Sequence, residues 1–251
     1  MHVAPGLAML EIPAVLADVP TVIHPALFFD EEAALLVDTG FPGQQPLVRA
    51  AIEQAGVPFA RFDMIIVTHS DMDHAGGLAG LLKEAPHRIE VLAGAGEKPY
   101  IQAELPPIRL SQMEARLDSL TGERREQMQA LCGNLRANYR NLGVTVDRTP
   151  ADGEVLPYAG GVTVIHTPGH SPGHLCLYHA RSKTLIAGDA LIVTDDGRLV
   201  PAPEFLTIDK NAAKKSLQKL AKYDVETVFC YHGGLYREDV KRRIERLAGG
   251  K

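Results

Sequence analysis

Seven apolar runs of four or five residues punctuate the chain, each closed by a turn signal: AALLV (33–37), MIIV (64–67), IEVL (89–92), VTVI (162–165), LCLY (175–178), TLIA (184–187) and TVFCY (227–231). Runs this short read as strands, and several are apolar at consecutive positions, as strands covered on both faces must be. Between them, residues 45–55, 76–84, 211–222 and 236–247 place apolar side chains at three- and four-residue spacing, the pattern of amphipathic helices. Strict strand–helix alternation would build one doubly wound sheet. The order here is strands, helix, then strands and helix again, which predicts an α/β domain of two sheets flanked by helices.

The chain of 251 residues is read as a single domain, 1–251, with one segment outside that rhythm. Residues 97–141 are polar and helix-prone, and Met113, Leu117, Leu120, Met128, Leu131 and Leu135 mark apolar stripes on two helices broken near Thr121-Gly122. This helical insert directly follows the motif half of the domain, so it is expected either to pack on the body or to cap the active site. Net charge of −5 speaks against a nucleic-acid partner, and no apolar run approaches the ~20 residues a membrane helix needs. Cys132, Cys176 and Cys230 are odd in number and widely spaced, which suits a reducing, cytoplasmic setting. The apolar N-terminus lacks a basic start and reads as a strand and turn rather than a signal peptide. The expected partner is a small-molecule substrate; a homodimer is left open.

The chemistry concentrates in THSDMDHAGG (68–77). On an extended tail after a strand, residues 69, 71 and 73 project to one side, a turn can bring His74 into the same pocket, and the glycines permit close backbone approach. Imidazole and carboxylate together suit Zn²⁺, Mn²⁺ or Fe²⁺. Three further loops put ligand-capable side chains just past strand ends: His166-Thr167-Pro168-Gly169-His170 with His174, Gly188-Asp189, and His232-Gly233. Sites are commonly assembled from loops gathered at one sheet edge.

With Asp38-Thr39-Gly40 added, these elements in this order resemble the metallo-β-lactamase superfamily across about residues 30–235. The resemblance implies an αββα sandwich holding two divalent ions, Zn²⁺ first with Mn²⁺ or Fe²⁺ as alternatives. It implies that His69, Asp71, His170 and Asp189 hold one metal and Asp73, His74, Asp189 and His232 the other, Asp189 bridging. Asp71 departs from the family, where histidine is usual and the flavodiiron branch has Glu; a carboxylate there would make the first site harder and more anionic. Asp38 is expected to organise the loops, and His166 and His174 to support rather than ligate. The implied reaction is hydrolysis by a metal-activated water, with Asp73 as the catalytic residue that orients the nucleophile and passes its proton on. Tyr100, Tyr139 and Tyr158 are candidates for an oxyanion contact. A small ester-type substrate, a lactone, thioester or carboxylic ester, is favoured, with Met113, Leu117, Met128 and Leu131 lining an apolar cap. Alternatives are a phosphodiester or β-lactam hydrolase, or a non-haem iron redox enzyme related to the flavodiiron branch.

Overall fold

The structure, a computed structural model, describes residues 1–16 and 19–250. Its first six-stranded sheet has the order β1 (His2–Ala4), β2 (Leu7–Met9), β5 (Ala26–Phe29), β6 (Ala34–Val37), β7 (Phe62–Val67) and β8 (Glu90–Ala93). A hairpin of β3 (Ile12–Leu16) and β4 (Val19–Ile23) stands between β2 and β5 in the chain. The second six-stranded sheet has the order β9 (Val155–Leu156), β10 (Val162–His166), β11 (Leu175–His179), β12 (Thr184–Ile186), β15 (Thr227–Cys230) and β16 (Gly234–Tyr236). A small hairpin, β13 (Leu191–Val193) with β14 (Leu199–Pro201), precedes β15.

Strand periodicity explains the layering. In β7, Met64 and Ile66 point between the sheets while Ile65 points to the outer face. In β11, Leu175 and Leu177 face inward while Cys176 and Tyr178 face outward, and β15 divides Phe229 from Val228 and Cys230 in the same way. The inner layer joins residues of both sheets, among them Phe28, Leu35, Ile66, Val164, Leu177 and Phe229. Helices α1 (Gln45–Gln54) and, after the short α2 (Met72–Ala75), α3 (Leu78–Glu84) cover the first sheet through Val48, Ile52, Leu78 and Leu81. Past the helices of residues 98–138, α7 (Lys210–Leu220) and α8 (Val240–Leu247) cover the second sheet through Leu217, Leu220, Val240 and Ile244. This is the αββα sandwich, and it is why the strand runs are apolar on both faces. Each fully buried large side chain contributes roughly 1.5–3 kcal/mol.

The helical insert resolves into α4 (Lys98–Ile101), α5 (Ile108–Arg116) and α6 (Gly122–Asn138). Leu117 falls in a short 3-10 turn and Thr121 sits extended before α6, so the helices break where the Thr-Gly pair predicts. Two expectations are corrected. The predicted helix over 236–247 starts only at Val240, because Tyr236 pairs with Val228 in the sheet and that pairing overrides helical spacing. The predicted helix over 76–84 is α3, which starts two residues later at Leu78; a short α2 precedes it, with Gly76 and Gly77 between them. A Cβ on Gly77 would stand 2.1 Å from the Thr39 carbonyl oxygen, so that close approach requires glycine.

Strand direction gathers the ligand loops. β6, β7 and β8 run parallel, so Asp38 and the 68–74 segment leave the first sheet at one edge. β12 and β15 are also parallel, so Asp189 and His232 leave the second sheet together, and the loop of the β10–β11 hairpin carries His170 to the same edge. The Leu175 amide donating to the Thr68 carbonyl (3.0 Å) ties the two edges to each other.

Candidate metal centre

His69 lies two residues past the end of β7, and Asp71 (ψ 148°) is extended where it caps α2. Asp73 and His74 lie within the helical turn, so a helix places them and not the alternation expected for residue 73. The side chains form two groups whose mutual spacing has a simple physical reading. Ligand atoms about 2.0–2.1 Å from a tetrahedral ion lie roughly 3.4 Å from each other. In one group His74 Nε2 is 3.3 Å from Asp189 Oδ1 and 3.6 Å from Asp73 Oδ2, while His232 Nε2 is 3.4 and 3.2 Å from the same two oxygens. In the other, His170 Nε2 is 3.3 Å from Asp71 Oδ2 and 3.6 Å from Asp189 Oδ2, and His69 Nε2 is 3.4 Å from Asp71 Oδ2. Asp189 thus gives one oxygen to each group. His69 Nε2, His74 Nε2 and Asp189 Oδ1 are buried without a hydrogen-bond partner. Orphaned polar atoms converging at ligand spacing are what a cation would satisfy, and the two groups His69–His170–Asp189 and Asp73–His74–His232 have the reach for one ion each.

Electrostatics agree with a cation-seeking site. Burial pushes the Asp71 carboxyl up, but the neighbouring His170 and His69 imidazoles and the Arg109 guanidinium outweigh it and hold it well below its ordinary range. Burial likewise opposes ionisation of Asp189, but His232 and His74 hold it well below. Burial would lower His74, yet Asp73, Asp38 and Asp189 carry it well above its usual value, and His232 is carried up to about 9 against burial, chiefly by Asp189. Without metal, the carboxylate excess is offset by protons on these imidazoles.

Supporting groups fix the candidate ligands. Asp38, buried and at φ 64°, accepts from the Thr68 amide (2.7 Å), the Thr68 hydroxyl (2.8 Å) and His74 Nδ1 (2.8 Å). The last bond holds the His74 proton on Nδ1 and turns the Nε2 lone pair into the centre. His174 adds no ring nitrogen to either group. Its Nε2 accepts from the Asp189 amide (3.0 Å) and its Nδ1 faces the Thr167 hydroxyl (2.9 Å), while burial first, and then His69 and His170, keep it well below its usual value and neutral. His166 faces away, with Nε2 2.9 Å from the Pro150 carbonyl. Tyr231 donates to the Asp73 carbonyl (2.5 Å) and packs its ring 3.9 Å from that of His74.

Two residues are absent from the sequence reading of the site. Glu97 has no exposed surface, and its carboxylate accepts from the Ser70 amide (2.9 Å) and the Gly173 amide (2.7 Å), stapling the 69–74 loop to the 167–174 loop. The cluster Gly94, Gly96 and Gly173, where an added Cβ would meet backbone within 3 Å, was its only sequence trace. Arg109, on α5, grips Asp71 through Nε (2.9 and 2.7 Å) and its terminal nitrogen (2.6 Å). No local pattern signals that contact, which spans 38 residues.

Beside Asp71 opens a cavity of about 340 Å³, mostly apolar, between α2 and the insert. Met113, Leu131, Leu135, Tyr139, Tyr100 and Leu110 line it, with Arg109, Ser70 and Asp71 at the polar end. Leu117 and Met128, expected in the lining, are not part of it: Leu117 lies past the end of α5, and Met128 lies on α6 one turn before Leu131 and two before Leu135. Tyr158 is removed from the oxyanion candidates, since its hydroxyl donates to Asp63 (3.2 Å) at the start of β7, the far end from the centre.

The profile of the Metallo-beta-lactamase superfamily matches residues 20–232. The chain belongs to this superfamily. The relative "Probable metallo-hydrolase YflN" of Bacillus subtilis is 28% identical over 232 residues, 85% of this chain and 82% of that protein. A hydroxyacylglutathione hydrolase of Rhizobium etli is 40% identical over 94 residues, only 36% of this chain and 33% of that protein. Among solved structures, a metallo-beta-lactamase family protein from Thermus thermophilus superposes with TM-score 0.70 at 22% identity, covering 98% of this chain and 79% of the other. A metallo-beta-lactamase from Pontibacter korlensis gives TM-score 0.68 at 14% identity, covering 100% and 98%. In class, the chain is a metal-dependent hydrolase of the metallo-beta-lactamase superfamily. No helix among the described residues is long and apolar enough to cross a membrane.

Proposed function

We propose that this protein hydrolyses a small ester-type substrate, a lactone, thioester or carboxylic ester, whose acyl chain lies in the apolar cavity under the helical insert. The observation that carries the reading is that cavity: about 340 Å³, walled by Met113, Leu131 and Leu135 and closed at one end by residues of the ligand loop. Apolar walls with a few polar groups at one end suit an acyl chain with its carbonyl at the centre, and flexible methionine tolerates several chain shapes. The insert serves as the cap. The hydroxyacylglutathione hydrolases among the partial relatives, named for cleaving an acyl-glutathione, favour the thioester member of the class.

His69, Asp71, His170 and Asp189 would hold one ion and Asp73, His74, His232 and Asp189 the other, Zn²⁺ fitting the histidine-rich set best. When bound, such a pair supplies Lewis acidity and lowers the pKa of water. Asp73, half-buried at the centre with Oδ2 3.2 Å from His232 Nε2, is placed to orient the attacking water and carry its proton to the leaving group. Burial opposes its ionisation, but His74 and His232 keep the carboxyl below its ordinary value, so it begins as a base. Tyr100 or Tyr139, on the cavity wall, can meet the acyl oxygen.

The test is a comparison of kcat/KM on lactones, thioesters and aryl esters of graded chain length against bis-p-nitrophenyl phosphate and nitrocefin, at equal metal loading. Esters are expected to win, with a chain-length optimum that shifts to longer chains in Met113→Ala. A preference for the phosphodiester or the β-lactam beyond about tenfold, ~1.4 kcal/mol of transition-state discrimination, rejects the reading.

A further inference from the structure

Asp71 and His170 each have a second claimant. The Arg109 guanidinium, brought in by α5, spends Nε and one terminal nitrogen on the Asp71 carboxylate, and the same terminal nitrogen stands 2.6 Å from His170 Nε2. Its other terminal nitrogen donates to the Leu206 carbonyl (2.5 Å) and the Gln112 side chain (3.1 Å), so the whole fork is fixed. A neutral imidazole nitrogen has one in-plane lone pair: it accepts from a guanidinium or ligates a cation, never both at once. A guanidinium is also always charged and repels a dication brought within a few ångströms. No such claimant stands over the other group, where His74 Nε2 has no partner at all.

We propose that Arg109 guards the His69–Asp71–His170 site, so that the two metal sites of this protein differ in affinity and the guarded one fills only as the guanidinium leaves His170. The inference rests on the two-metal reading above. It accounts for aspartate at position 71: carboxylate oxygens carry lone pairs enough for Oδ2 to accept from Arg109 (2.7 and 2.6 Å) and still face His69 and His170 at 3.4 and 3.3 Å, which a histidine could not. It also links the metal state to the cap. Arg109 lines the cavity together with Leu110 and Met113 of the same helix, so its withdrawal from His170 changes the polar end of the wall that faces the acyl chain.

The experiment is equilibrium titration of metal-stripped full-length protein with ZnCl₂, and separately MnCl₂, for wild type, Arg109→Gln and Arg109→Lys. His170→Ala in each background assigns the guarded site, and circular dichroism checks the fold. Wild type is expected to bind one ion tightly and a second at least about tenfold more weakly. Arg109→Gln should tighten the second by about tenfold or more and leave the first within about threefold. Arg109→Lys, which keeps the charge and loses the fork, should fall between, and it decides the matter if the Gln variant does not fold. In wild type alone, hydrogen exchange over residues 108–116 should change as the second equivalent is added. Two equal sites in wild type, or a second site unchanged or weakened in Arg109→Gln, overturns the guard while leaving the two-metal hydrolase intact. Binding of no metal by wild type overturns the hydrolase reading itself, and the guard with it.

Discussion

Replacing Asp38 by Asn changes one atom and tests how the centre is oriented. Asparagine tolerates the φ of 64° at this position, so the backbone stays. Its carboxamide oxygen can still accept from the Thr68 amide, where Asp38 Oδ1 does so at 2.7 Å. Its NH₂ then stands where Oδ2 accepts from the Thr68 hydroxyl and His74 Nδ1, each at 2.8 Å. The hydroxyl can rotate and accept. The imidazole cannot without moving its proton to Nε2, which puts a hydrogen on the atom aimed at the metal. Loss of a charge-assisted hydrogen bond costs about 1.5–3 kcal/mol, and loss of an orienting partner weakens a metal site roughly 10–100-fold, ~1.4–2.8 kcal/mol. We therefore expect the Asp73–His74–His232 site to weaken by about 10–100-fold, the His69–His170 site to hold its affinity, and Tm without metal to fall by roughly 3–10 °C. Equilibrium dialysis with Zn²⁺ and a thermal melt read both numbers. An affinity within about twofold of wild type in a folded variant would refute the claim that Asp38 sets the His74 tautomer.

His74→Ala and His232→Ala should each abolish turnover and lower metal content by one ion per chain while the circular dichroism spectrum holds; full activity below one bound ion per chain would contradict a paired site. Glu97→Gln turns one acceptor into a donor facing either the Ser70 or the Gly173 amide, and should cost about 1–3 kcal/mol of stability in denaturant melts, with kcat falling more than in surface controls. The metal-free protein should lose stability as pH rises from near 6.5 through about 9, because His232 is held protonated in the fold and a raised imidazole stabilises only while it keeps its proton. Metal binding runs the other way, tightening over the same range with proton release, readable as buffer-dependent heats of binding; binding that is independent of pH there would exclude His232 as a ligand.

The layers of the fold were legible in the sequence because burial imposes period two on a strand and a period near 3.6 on a helix, and residues such as Met64, Ile65 and Ile66 carry that imprint wherever they lie. The candidate ligands were legible for a similar reason: coordination needs imidazole and carboxylate, and His69, Asp71, Asp73, His74, His170, Asp189 and His232 follow strand ends whose turns the chain itself marks with glycine. What the sequence left open is everything set by groups distant in the chain. Tyr236 reads as helix and pairs as strand because Val228 offers it a ladder. Glu97 reads as a helix-start carboxylate, yet two loops 76 residues and 27 residues away bury it against their amides. Arg109 reads as one more charge on an amphipathic helix, and only packing of the insert onto the ligand loop aims its guanidinium at Asp71 and His170. Local periodicity records which face of an element is buried; it holds no record of what that face is buried against, and the contacts that orient Asp71 and staple the ligand loops belong to that second kind.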